Sequence, residues 1–145
     1  MKPVGNQAAY VLVDDDEDDR YLMRLAIQRL GRELPLHEFV NGKELLDYMT
    51  EDTNEKGAHG VYWLIVLDIN MPILDGRETL IRLRENPRWR DVPVLMLSTS
   101  DDPRQIAELL QAGANAYYTK PSTFDEYEKL FRTTFDSWLF PKAMD

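Results

Sequence analysis

Apolar positions in this chain fall into five short blocks, most of them followed by a segment whose apolar residues recur every three or four positions. Tyr10-Val11-Leu12-Val13 is wholly apolar, as expected for a strand buried on both faces. Leu22, Leu25, Ala26 and Leu30 then make a helical stripe that stops near Gly31. Residues 36–40 read as a second strand and 42–50 as a second helix, with Leu45, Leu46 and Met49 apolar. Residues 51–60 are polar, contain two glycines and read as a loop.

The seven-residue apolar block at 61–67 is the strongest strand signal. Residues 76–86 come next as a helix carrying Leu80, Ile81 and Leu83, with Pro87 as its stop. Residues 92–97 form a fourth strand, with Pro93 tolerated near its start. Asp102 as cap and Pro103 at the first position open a fourth helix, with Ile106, Leu109 and Leu110 inward and Gly113 at its end. Ala116-Tyr117-Tyr118-Thr119 is a short fifth strand. Thr123-Phe124-Asp125-Glu126 has capping-box spacing and opens a last helix. The apolar face of that helix (Phe124, Tyr127, Phe131, Phe135 and Trp138) reads as core packing.

Strands that alternate with helices, and are apolar on both faces, predict an α/β domain with a parallel sheet covered by helices. No repeat, low-complexity stretch or linker divides it. The 145 residues suit one domain, long enough to bury about 68–70% of the unfolded surface without disulfides or metals.

Charge sharpens this picture. The chain has 26 acidic against 17 basic residues, a net charge of −9. Six of the acids form one run, Asp14, Asp15, Asp16, Glu17, Asp18 and Asp19; without it the count is 20 against 17. The imbalance is therefore a local patch, placed straight after a buried strand. The acidic balance argues against a broad grip on nucleic acid. No apolar stretch approaches the ~20 residues of a membrane span. The first seven residues lack the apolar region of a secretory signal, so export is not expected. With no cysteine, disulfides, thiolate metal sites and a cysteine nucleophile are excluded.

The chemistry emerges at the strand ends: Asp14 and Asp15 come after the first strand, Asp68 after the third, Ser98 after the fourth and Lys120 after the fifth. In a parallel sheet these positions share the carboxyl-terminal edge, where ligands bind at a topological switch point. Two carboxylates about 4 Å apart repel by ~4 kcal/mol at an effective dielectric of 20, and a third worsens this. Such a cluster invites a hard divalent cation, and Mg²⁺ suits one or two carboxylates plus a phosphate oxygen. Lys120 can balance a phosphoryl group and Ser98 can donate to it. The implied chemistry is phosphoryl transfer to a carboxylate.

These residues resemble a receiver domain of bacterial two-component response regulators over roughly residues 8–138, with 1–7 and 139–145 as short extensions. The resemblance rests on Val11-Leu12-Val13-Asp14-Asp15-Asp16, on Leu67-Asp68-Ile69-Asn70-Met71-Pro72 with Asp75-Gly76, on Val94-Leu95-Met96-Leu97-Ser98, and on Lys120-Pro121. It implies a flavodoxin-like, doubly wound sheet of five strands in the order 2-1-3-4-5 with five helices. It implies Asp68 as phosphoacceptor for a sensor histidine kinase. Mg²⁺ would be held by the Asp15 and Asp68 side chains, the Asn70 backbone carbonyl and, through water, Asp14. Ser98 and Lys120 would contact the phosphoryl group, and the Lys120–Pro121 bond would be cis. Tyr117 would be the aromatic switch, turning inward as Ser98 moves and altering the face made by the fourth helix, fifth strand and fifth helix.

Three positions depart from the family pattern. Ser98 stands where Thr is commoner, Thr99 where a smaller residue is usual, and Ser122 where Phe often comes after Lys-Pro. Phe124 is a candidate to fill that last space. None of these removes a chemical group. The polar loop and aromatic last helix are similar to free-standing chemotaxis and phytochrome-associated receivers. The expectation is a cytoplasmic single-domain regulator with no catalysis beyond self-phosphotransfer and autodephosphorylation. It would act through a downstream protein target or a phosphotransfer protein, without nucleic acid or membrane; homodimerisation stays open.

Two other classes stay open beside it. One is a Mg²⁺-dependent phosphatase with an aspartate nucleophile, which wants an acid where Asn70 stands. The other is an unphosphorylated receiver-like interaction module. Several features read as structural. Asp16, Glu17, Asp18 and Asp19 suit helix capping and solvation. Arg77, Arg82, Arg84, Arg88 and Arg90 alternate with acids as a solvated face, and His37 and His59 have no partners in the pattern. A calcium loop from Asp14 fails because Asp19 and Leu25 stand where Gly and Glu are needed. Asn41-Gly42-Lys43 lacks the upstream glycine of a phosphate loop.

Overall fold

A computed structural model describes residues 8–31, 34–50, 62–134 and 137–138. Among these, strands and helices alternate without exception: β1 (Ala8–Val13), α1 (Glu17–Gln28), β2 (Leu36–Phe39), α2 (Gly42–Met49), β3 (Tyr62–Asp68), α3 (Gly76–Glu85), β4 (Val94–Ser98), α4 (Pro103–Gln111), β5 (Ala116–Thr119) and α5 (Phe124–Thr134). All pairings are parallel and the strand order is β2-β1-β3-β4-β5, as the family resemblance implied. The order reverses between β1 and β3, so their carboxyl ends flank the crevice.

Alternation along the strands sends successive side chains to opposite faces. Val11, Val13, Ile65, Leu67, Val94 and Met96 pack with Leu45 and Met49 of α2, Leu80 and Leu83 of α3 and Leu109 of α4. Tyr10, Leu12, Leu64, Val66, Leu95 and Leu97 pack with Met23, Ala26 and Ile27 of α1 and Tyr127 and Phe131 of α5. The expected burial on both faces holds for the three central strands; β2 and β5, at the sheet edges, are only half-buried. Trp138 packs against the α1–α5 layer as expected; Phe135 and the 51–60 loop lie outside the described residues.

Helix starts are set by their caps. Asp16 accepts from the backbone N–H groups of Asp18 and Asp19, Asn41 from Glu44, Asp75 from Glu78 and Asp102 from Arg104. Two predicted faces shift. In α1 the fully buried residues are Met23, Ala26 and Ile27, with the predicted leucines at the margin. In α4 Leu109 is buried, whereas Leu110, expected inward, is 44% exposed because this short helix covers only the sheet edge beside half-buried β5. Arg84 also departs from the solvated arginine face. It donates to the carbonyls of Gly113 and Trp89 and to Asn115 Oδ1, tying α3 to the loops before β4 and β5. No helix among the described residues is long and apolar enough to cross a membrane.

Candidate functional site

The carboxyl ends of β1 and β3 place Asp14, Asp15 and Asp68 so that one oxygen from each lies within 4.8 Å of the others. Asp14 is 0% and Asp68 4% exposed, while Asp15 faces solvent at the mouth. Local hydrogen bonds fix the first acid. Asp14 Oδ1 accepts from the Asp16 N–H at 2.9 Å, and Arg20 clamps the Asp14 carbonyl at 2.7 Å. Asp14 Oδ2 is buried and has no hydrogen-bond partner; Lys120 Nζ is 2.9 Å away but outside hydrogen-bond geometry. A buried carboxylate oxygen that accepts no hydrogen bond, beside two further carboxylates, is the donor set a hard dication requires, so the residues fit the metal implied by their spacing.

Burial and crowding set the electrostatics. Desolvation, reinforced by the charge of Asp14 and opposed by Lys120, pushes the Asp68 carboxyl up to about 6. Asp14 is likewise raised by burial, against the Asp16 N–H and Lys120. Burial disfavours the charge on Lys120. The Asp19 hydrogen bond and the pairings with Asp14 and Asp68 outweigh it and hold the ammonium above the ordinary lysine range. Its Nζ stands 3.2 Å from Asp68 Oδ1, close enough to meet a group carried there.

Ser98, at the end of β4, is buried and its Oγ accepts from the Ser100 N–H at 3.1 Å. Thr99 is exposed beside it. Tyr117 is half-buried against the α2–α4 layer, and its hydroxyl donates to the Ser100 carbonyl. Gln105 of α4 donates to the Tyr117 hydroxyl at 3.1 Å and lies 3.5 Å from Ser98 Oγ, a bridge the sequence did not suggest. Asn70 is exposed two residues beyond Asp68.

One implied feature is corrected. The Lys120–Pro121 peptide is trans, as are the other described peptide bonds. Trans is favoured by about 0.5–1 kcal/mol at X–Pro bonds, and the ammonium reaches its carboxylates from this isomer. Ser122 is exposed and its N–H and hydroxyl both donate to Glu126 Oε1, while Thr123 caps α5, its Oγ1 accepting from the Glu126 N–H at 3.2 Å. Phe124 packs at the edge of the α1–α5 layer, under the Arg29 guanidinium.

Besides Gln105, two residues were missed. Asp19, read as a solvated helix acid, takes a 2.8 Å hydrogen bond from Lys120 across 101 positions. The available signal was its place in the first turn of a helix that starts at the sheet edge. Ile73 has φ of 70° and 76% exposure in the loop after β3. With the Leu74 N–H on the Pro72 carbonyl at 2.7 Å, it centres a strained γ-turn.

A five-stranded 2-1-3-4-5 parallel sheet with a carboxylate trio and a lysine at its carboxyl edge defines a receiver-type signalling domain. Residues 11–132 match the response regulator receiver domain, and the chain belongs to that family. It is 29% identical over 113 residues to a chemotaxis protein CheY homolog of Campylobacter jejuni, covering 78% of this chain and 81% of that one. A response regulator receiver domain from Rhodospirillum rubrum superimposes with a TM-score of 0.78 at 31% identity, over 94% of this chain and 95% of that one. The phosphorylated cyanobacterial phytochrome response regulator RcpA does so with a TM-score of 0.80 at 26% identity, over 92% and 94%. Both the chemotaxis and the phytochrome-associated resemblances are thus represented among its relatives.

Proposed function

We propose that this receiver domain accepts a phosphoryl group from a sensor histidine kinase onto Asp68, with Mg²⁺, in the cytoplasm. The observation that carries this reading is the convergence of Asp14, Asp15 and Asp68 within 4.8 Å, with Lys120 Nζ 3.2 Å from the Asp68 carboxylate. An Asp68 oxygen attacks phosphorus as the P–N bond to the donor histidine breaks, and the leaving imidazole keeps the bond's electron pair. Asp15, Asp68 and the Asn70 carbonyl would hold Mg²⁺, with Asp14 assisting, and the bound ion would supply charge neutralisation on the phosphoryl oxygens. Lys120 and Ser98 bind the remaining oxygens. Rearrangement of Ser98 shifts Tyr117 and with it the face of α4, β5 and α5, a population shift between states a few kcal/mol apart. Output passes to a protein target or a phosphotransfer protein.

The test is incubation with Mg²⁺ and a small acyl-phosphate donor, then measurement of intact mass. Wild type should gain one phosphoryl group and Asp68→Asn none. Equal gain by the variant, or no gain by wild type, sinks the reading. Steady turnover of phosphomonoesters would favour a hydrolase instead.

A further inference from the structure

The three carboxylates around Lys120 are not equivalent. Asp14 and Asp68 belong, with Asp15, to the trio whose oxygens lie within 4.8 Å of one another; Asp19 stands outside it. The aligned hydrogen bond of the ammonium goes to Asp19 Oδ2 at 2.8 Å, whereas its contact with Asp14 Oδ2 is a poorly aligned ion pair. A dication on the trio would claim the charge of two of the three partners and repel the ammonium. Lysine is a point charge on a flexible four-carbon stem, so nothing in its own covalent structure keeps it in place. Asp19 is well set to do so. It lies in the first turn of α1, its backbone N–H is fixed by Asp16 Oδ1 at 3.2 Å, and its side chain is 27% exposed, so the pair is only partly screened.

We propose that Asp19 is a positioning residue that keeps the Lys120 ammonium facing Asp68 once a divalent cation has engaged Asp14, Asp15 and Asp68. This rests on the reading of Asp68 as phosphoacceptor. Its sign separates it from a bulk charge effect. Removing an acid near the pocket eases the approach of an anionic donor and should speed phosphoryl uptake, whereas loss of an anchor for Lys120 should slow it. Asp18 provides the control, being exposed, adjacent and not among the partners of Lys120.

The experiment compares full-length wild type, Asp19→Asn, Asp19→Glu and Asp18→Asn by two measurements. The first is phosphoryl uptake from acetyl phosphate with Mg²⁺, monitored by intact mass over a range of donor concentrations. The second is acetylation of the unphosphorylated proteins by acetic anhydride with and without Mg²⁺, mapped by peptide mass with exposed Lys43 as internal reference. Asp19→Asn should lower the maximal uptake rate roughly three- to tenfold, with Asp19→Glu restoring most of it. Asp18→Asn should be unchanged or faster. Mg²⁺ should raise Lys120 labelling several-fold in Asp19→Asn while wild type and Asp18→Asn stay protected. Lys120 labelling in Asp19→Asn equal to wild type under Mg²⁺, or uptake accelerated as in Asp18→Asn, overturns the proposal. If wild type itself takes no phosphoryl group, the phosphoacceptor reading fails, and the labelling still decides the role of Asp19.

Discussion

Strand β3 carries Trp63 near one end and Asp68 at the other, and the surroundings of these two residues obey opposite rules. Trp63 stacks on Trp89 with ring centroids 5.2 Å apart and on Tyr48 at 5.8 Å, while His37 tilts against it at 6.1 Å. Each neighbour adds dispersion and buries apolar surface, which outweighs the one polar cost here, a Trp89 Nε1–H buried without a hydrogen-bond partner. His37, drawn into this group, has its pKa lowered by burial, so it too packs as a neutral ring. At the far end Asp68 is buried beside Asp14, one Asp14 oxygen is left without a hydrogen bond, and the loop beyond turns through a positive φ at Ile73. One end of the strand supplies stability and the other consumes it, as expected where reactive groups are held ready against their own preferences.

The largest expected difference between the ends is at Trp63. Trp63→Ala should destabilise the fold by about 3–5 kcal/mol in denaturant titrations, because the cavity lies inside a stacked aromatic group. A loss below about 1 kcal/mol would mean that the aromatic end is not the stabilising one. Asp68→Asn should act in the opposite direction and stabilise metal-free protein at pH 7 by up to about 3 kcal/mol. The folded-state pKa of about 6 lies above the ordinary 3.8, so folding takes up a proton between these values. The penalty is therefore absent below about pH 4, grows as pH rises towards 6 and is complete above it. Melting temperatures of wild type and Asp68→Asn should converge at low pH and separate across that window. Convergence at neutral pH would remove the contrast. Mg²⁺ should raise the wild-type melting temperature more than that of the variant.

The smallest effect concerns the γ-turn. Ile73→Gly should stabilise by about 0.5–1 kcal/mol, the relief of a β-branched residue from the left-handed region outweighing the greater freedom of glycine in the unfolded chain. A destabilised variant would show that the side chain, despite its exposure, holds the loop.

Most of the architecture was legible because the apolar blocks, caps and stops agree with one another: Tyr10–Val13 and 61–67 read as buried strands, and Asp102-Pro103 opens α4. The pocket residues were legible because a parallel sheet gathers the residues at its strand ends on one edge. The relations that escaped depend on side-chain paths that periodicity does not encode. Asp19 and Lys120 meet only because the lysine side chain, just past β5, reaches along the sheet edge to the first turn of α1 although β3 and β4 lie between β5 and β1, a relation across 101 positions. Arg84 looked like its solvated neighbours until the carbonyls of Trp89 and Gly113 were placed around it. Leu110 fits an inward helical step by spacing, yet α4 has too little sheet beneath it to bury that side chain.

Gly76 shows how tightly α3 is joined to the reactive strand. Its N–H donates to the Ile69 carbonyl at 2.8 Å, and a Cβ there would run into the Asp68 carbonyl oxygen and stand 2.8 Å from Ile69 Cα. The first residue of α3 thus rests directly on the main chain of Asp68 and Ile69, with no side chain between to compress or rotate. In mechanical terms this is a joint without play: a few tenths of an ångström of travel by the Asp68 backbone toward the helix is transmitted to α3 rather than absorbed.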